Sequence, residues 1–163
     1  MRLFIAIPLP DEARKQLAEL QRKLAASKTR MKLVEEENLH MTLRFIGEGE
    51  PAEWAKKLDS IAEKPFTLVF DEVGTYSYLK KVNVVWAGCD APESLLNIHR
   101  VIGEGTLSPH VTLARVHGPP DEAFRSFLAE KPAITAEVTR VQLMNSALSS
   151  SGPKYGVVHE KTL

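Results

Sequence analysis

A single cysteine, Cys89, stands in the 163-residue chain, which excludes an internal disulfide framework. A lone thiol fits a reducing compartment, and within NVVWAGC at 83–89 it reads as a small apolar packing residue. An excess of either charge is missing as well. Lys and Arg total 21, as do Asp and Glu. No global field therefore draws in nucleic acid or an anionic membrane, and any anionic ligand must be held by a local cluster of donors. Long apolar runs are absent too. RLFIAIPLP near the N-terminus has only five consecutive apolar residues before Pro8, too few for a signal sequence or a membrane span. A cytoplasmic protein with no membrane partner is the expectation. Recognisable cofactor motifs are lacking in the same way. There is no HExxH, His-x-His or CxxC to suggest a metal. GEGE at 47–50 and GEG at 103–105 lack the Lys-Ser/Thr of a phosphate loop and read as turns, and no GxSxG marks a nucleophilic serine.

What the chain does contain is ordinary for one compact domain, taken as residues 1–163: 44% hydrophobic and 26% charged residues. LFIAI (3–7) reads as a buried strand closed by prolines. Ala13, Leu17, Leu20 and Leu24 then form one helical stripe behind Asp11 and Glu12, whose charges suit a helix N-terminus. MKLV and LHMTLRFI have strand composition. PAEWAKKLDSIAE (51–63) is a proline-led helix with Trp54, Leu58 and Ile61 on one face. Two strands follow, FTLVFDEVGTY and VNVVWAGC, then a helix at 92–105. HVTLARV is a strand, PPDEAFRSFLAEK a second proline-led helix, AITAEVTRVQLMNS one long strand, and GPKYGVVHEKTL the last. Adjacent strand runs are too frequent for a purely parallel sheet, so the class is α+β, with antiparallel-rich sheets covered by helices. The polar turn SYLKK near the middle is the expected seam between two lobes.

Two strands echo each other, NLHMTLRFIGE (38–48) and SPHVTLARVHG (108–118). By alternation His40 shares a face with Thr42 and Arg44, and His110 with Thr112, while Met41, Leu43, Val111 and Leu113 face a core. Composition alone puts Ser or Thr two places after about one histidine in ten, so a single copy means little. Two copies in matching apolar strands point to chemistry rather than to two structural histidines. One imidazole neutral and one protonated near neutral pH provide a base and an acid. Placed on opposite sides of one group, they suit in-line displacement at phosphorus. The Thr hydroxyls would then hold non-bridging phosphate oxygens, together with Arg side chains and backbone N–H groups. A metal site built on the same residues is the rival reading, weakened by the spacing. His99, His117 and His159 read as structural or exposed.

In these motifs the chain resembles the two-histidine phosphoesterase superfamily, and within it the RNA 2′,3′-cyclic phosphodiesterases, also called 2′-5′ RNA ligase-like proteins. RLFIAIPLP, ENLHMTLRFIGE, VVWAG, SPHVTLARV and SALSSSGPKYGVV carry the resemblance, in family order over nearly the whole chain. It implies a bilobal fold, with two pseudo-symmetric sheets, helices on the outer faces and a central groove. It further implies opening of an RNA terminal 2′,3′-cyclic phosphate to a 2′-phosphate without metal or other cofactor. His110 would activate water, His40 would protonate the leaving 3′ oxygen, and 2′-5′ ligation would be the reverse reaction. Thr42, Thr112 and Arg115 are the expected phosphate contacts; Phe45 and Tyr155 are expected beside the nucleotide. For Phe45 core packing is an equal alternative, and for Tyr155 edge packing on the last strand. Strict alternation puts Phe45 and Arg115 opposite the histidines, so each requires a break in the pleat. The chain departs from the family in two places: Leu33 stands where relatives usually carry Trp, and only GEGTL separates the third helix from SPH. The expected partner is an RNA end or a nucleotide bearing a cyclic phosphate, and the expected state a monomer. The alternatives are a phosphodiesterase for another cyclic or 2′-5′ nucleotide, and an RNA-end binding module without turnover.

Overall fold

A computed structural model describes residues 2–103 and 105–163. Its elements in chain order are β1 (Arg2–Pro8), α1 (Asp11–Leu24), β2 (Met31–Leu33), a 3-10 turn (Glu36–Asn38), β3 (His40–Glu48), α2 (Pro51–Asp59), β4 (Phe66–Tyr78), β5 (Lys81–Cys89), α3 (Glu93–Ile102), β6 (His110–Val116), α4 (Glu122–Phe127), β7 (Ile134–Val138), β8 (Arg140–Ser149) and β9 (Gly152–Thr162). They form two antiparallel sheets, one of four strands in the order β3-β1-β8-β9, the other of five in the order β2-β6-β5-β4-β7. The α+β class, two lobes and outer helices stand as expected. The lobes are unequal, however, because β2 covers the outer edge of β6 while β3 remains an open edge.

The chain passes repeatedly between the sheets: β1 and β3 lie in the first, β2 in the second, β4 to β7 in the second, β8 and β9 in the first. Helices follow the same exchange. α1 leaves the first sheet and packs on β6 and β7 of the second, whereas α2 packs on β8 and β9 of the first. SYLKK is therefore no seam: it is the hairpin turn joining β4 to β5 within one sheet, with Leu79 and Lys80 at positive φ. AITAEVTRVQLMNS is likewise not one strand. It divides at Thr139, and β7 pairs with β4 while β8 pairs with β1. Alternating apolar residues run through both halves, so hydrophobic pattern alone cannot mark the change of sheet.

Each strand supplies one apolar face to the core. Leu3, Ile5 and Ile7 of β1, Val85 and Ala87 of β5, and Val111 and Leu113 of β6 are all buried, as are Leu17, Leu20 and Leu24 on the α1 stripe. Cys89 is in this set, and burial, reinforced by nearby Asp71, pushes its thiol up to about 12, so it packs rather than reacts. The fourth helix is not proline-led: it begins after Pro119-Pro120, where Asp121 caps it by accepting from Phe124 N–H. The same carboxylate accepts from Lys28 N–H and Ser27 Oγ, tying the loop after α1 to α4. The Phe124 N–H, Ser27 and Lys28 contacts hold it down to about 2. No helix among the described residues is long and apolar enough to cross a membrane.

Candidate active site

Both His-x-Thr strands break their pleat at the same place. On β3, Thr42 pairs with Ala6 and Arg44 with Ile5, leaving Leu43 as an extra residue. On β6, Thr112 pairs with Trp86 and Ala114 with Val85, leaving Leu113 as the extra. Each bulge reverses the alternation beyond it. Arg115 consequently rejoins the face of His110 and Thr112, and Phe45 pairs with Phe4 on the face of His40 and Thr42. Phe45 is 80% exposed, which rules out core packing. The bulge also corrects the reading of Arg44. Its register partner is Ile5, off the face of His40 and Thr42. Its guanidinium donates to Ile102 O at the end of α3 and lies 4.7 Å from the Trp54 ring centroid, although Arg44 still lines the cavity that Thr42 and His110 share.

The imidazoles are oriented alike. Nδ1–H of His40 donates to Asn38 O at 2.6 Å, and Nδ1–H of His110 donates to Ser108 O at 2.7 Å. In both cases the acceptor is the carbonyl two residues earlier, supplied to His40 by the 3-10 turn. A carbonyl can only accept, so the neutral ring carries its proton on Nδ1 and leaves Nε2 bare. Thr42 Oγ1 donates to His40 Nε2 at 2.9 Å. Burial lowers the His40 pKa below its ordinary value, partly opposed by the Asn38 carbonyl, which favours the charged ring.

Aromatic rings flank both histidines. Phe4 and Tyr155 lie 5.6 and 5.5 Å from His40, centroid to centroid, and Tyr155 meets it edge-on. Tyr76 and Trp86 lie 5.1 and 6.3 Å from His110, with Tyr76 edge-on. The Tyr76 hydroxyl is 2.7 Å from Ser108 Oγ. Trp86 lies over bare backbone: a Cβ on Gly74 or Gly88 would come within 2.4 or 2.7 Å of its ring. Phe4, Tyr76 and Trp86 were not picked out as site residues in the sequence. A signal existed for Trp86, since in NVVWAGC it alternates with Val85, Ala87 and Cys89, all of which are buried.

Two cavities open on this surface. One of about 390 Å³ lies between the sheets, lined by Thr42 and Phe45 from one and by Ser108 and His110 from the other. The second, about 500 Å³, is lined by Asn38, His40, Gln142 and Tyr155. Thr42, bonded to His40 and lining the first, links them. Thr112 stands beside Trp86 on the same sheet face. The short segment before His110 contributes Thr106, Leu107 and Ser108 to the first cavity; Glu104, within the turn expected at 103–105, lies outside the described residues. His99 also lines this cavity, and its Nε2–H donates to Gly105 O. His159 pairs with Asp59 of α2, away from the groove, and His117 follows the end of β6, its N–H on Arg30 O. Among the described residues no group of three or more His, Cys, Asp or Glu is placed to hold a metal ion.

Two bulged His-x-Thr strands on facing sheets, with matched imidazoles, define the two-histidine phosphoesterase class. A family model described as LigT-like phosphoesterase matches residues 7–86. An RNA 2′,3′-cyclic phosphodiesterase of Aeropyrum pernix is 33% identical, with 89% of this chain and 93% of the relative covered. One of Thermotoga maritima is 29% identical, with 98% and 94% covered. The solved structure of Escherichia coli LigT complexed with 3′-AMP superposes with a TM-score of 0.76 at 26% identity, covering 99% of this chain and 97% of that one. The chain belongs to the LigT-like phosphoesterase family.

Proposed function

We propose that the protein hydrolyses RNA terminal 2′,3′-cyclic phosphate to a 2′-phosphate, without a metal, using His40 and His110 as acid and base. The observation that carries this reading is the matched pair of imidazoles, each fixed through Nδ1 so that Nε2 is the proton-transfer atom, with His40 Nε2 bonded to the Thr42 hydroxyl in the free protein. His110 Nε2 takes a proton from water as the water oxygen bonds to phosphorus. The bond from phosphorus to the 3′ oxygen breaks, and His40 Nε2–H supplies the proton that this oxygen needs. Thr42 and Thr112 hold the non-bridging oxygens, and Arg115 balances their charge. Phe45 and Tyr155 border the nucleotide. The relatives named RNA 2′,3′-cyclic phosphodiesterase support this choice of substrate. With a 5′ hydroxyl in place of water as the nucleophile, the same residues join RNA ends through a 2′-5′ bond. The bond from phosphorus to the 5′ oxygen forms as the bond to the 3′ oxygen breaks, and the 3′ oxygen leaves as a hydroxyl. The single buried thiol suits work in the cytoplasm.

The test is turnover of a nucleoside 2′,3′-cyclic phosphate, with the product resolved as 2′- or 3′-phosphate. The native protein gives the 2′-phosphate. His40→Ala and His110→Ala each lose roughly 10²–10⁴-fold in kcat, the range for removal of a general acid or base, and keep their folded circular dichroism. Full turnover by either variant overturns the acid–base roles. Loss of native activity in EDTA overturns metal independence, and tight binding without turnover indicates an end-binding module instead.

A further inference from the structure

β2 lies beside β6, with Lys32 directly opposite Arg115. Directly paired residues point to the same face, so Lys32 stands on the face of His110, Thr112 and Arg115, while Leu33 packs against the core. Its ammonium extends toward the other lobe. The β8–β9 hairpin carries Gly152, and a Cβ there would meet Lys32 Nζ at 3.6 Å. Both cations are exposed, and neither makes an ion pair or side-chain hydrogen bond among the described residues. Like charges directly opposite on neighbouring strands repel. Two unneutralised cations held side by side are an unfavourable arrangement in the free protein, and a second anion beside Lys32, besides the reacting phosphate that Arg115 serves, relieves the repulsion.

The position along the strand identifies which anion. From His110 through Thr112 to Arg115 is on the order of 13 Å of strand, allowing for the bulge. The reacting phosphorus belongs beside the histidines. Lys32 stands at the far end of that line, directly beside Arg115 on the neighbouring strand, where a substrate longer than a cyclic mononucleotide would pass. We propose that Lys32, next to Arg115, binds the phosphate on the 5′ side of the terminal nucleotide, so that the groove recognises an RNA chain end in preference to a free cyclic mononucleotide. This rests on the cyclic phosphodiesterase reading above.

The experiment compares three substrates: a nucleoside 2′,3′-cyclic phosphate, the same compound with a 5′-phosphate, and a ribodinucleotide ending in the cyclic phosphate. In the native protein the two with a 5′ phosphate show lower KM, by about tenfold for one charge-assisted contact, and that advantage shrinks as salt rises. Lys32→Ala raises KM for those two to the value of the bare cyclic nucleotide, leaves kcat and the bare substrate unchanged, and Lys32→Arg restores the difference. Lys32→Ala also melts no lower than the native protein, because repulsion is removed. Equal losses on all three substrates overturn the proposal, since Lys32 would then serve the reacting phosphate or the fold. Unchanged KM for all three overturns it as well. Absence of turnover on every substrate by the native protein is a different result, and it removes the underlying activity.

Discussion

His40 is the residue whose environment is most legible. Burial disfavours its charged ring, and the Asn38 carbonyl only partly compensates, so its pKa lies below the ordinary 6.5. As pH falls through 6.5 the unfolded chain takes up the proton first, so stability attributable to this group declines from there down to the folded pKa. At higher pH both states are neutral and the effect vanishes. A phosphate monoanion beside Nε2 acts in the opposite sense and favours the imidazolium. Titration of the His40 ring by NMR should therefore give a midpoint below 6.5 in the free protein and a higher one with inorganic phosphate bound. A midpoint at or above 6.5 in the free protein would count against the burial argument. The same shift places the alkaline limb of kcat/KM, where the proposed general acid loses its proton, below the ordinary imidazole value, because that limb reports the free enzyme.

At the scale of elements, the bulge in β6 is what turns Arg115 toward the histidine face, and a buried amide secures it. Gln21 of α1 donates to Leu113 O at 2.9 Å and to Val34 O at 2.8 Å, while Val34 N–H also donates to Leu113 O. Helix, bulge and the end of β2 are joined at that point. Gln21→Leu leaves the Val34 carbonyl unsatisfied and should cost about 1–3 kcal/mol in urea unfolding. KM should rise more than kcat falls, because the loosened bulge displaces Arg115 rather than the histidine. Gln21 falls beside the apolar stripe of α1, where a glutamine looks like a solvated neighbour, so nothing local marked it. The histidine strands themselves were readable because period-two alternation and the repeated His-x-Thr are local signals. The face of Phe45 and Arg115 was not, since a bulge depends on what the partner strand offers. Arg44 shows the limit: correct alternation gave the wrong face one residue beyond an unseen bulge. Tyr76 and Trp86 reach His110 only through the register of β4, β5 and β6, information spread over about forty residues.

Across the whole molecule, the two sheets share one continuous set of buried side chains. Heat or urea should therefore unfold both lobes in a single transition, with fluorescence of Trp54 and Trp86 changing at the same midpoint as far-ultraviolet circular dichroism. Separate midpoints would show independent lobes. The interleaved path carries a further consequence, in time rather than in stability. β1 must wait for β8, about 140 residues later in the chain, before its sheet closes, and β2 waits for β6. Pairings so distant in sequence slow folding and put the lobes in place last. The two histidine strands, β3 and β6, thus meet only when folding is nearly finished, so on the proposed reading a nascent or partly unfolded chain lacks its acid–base pair.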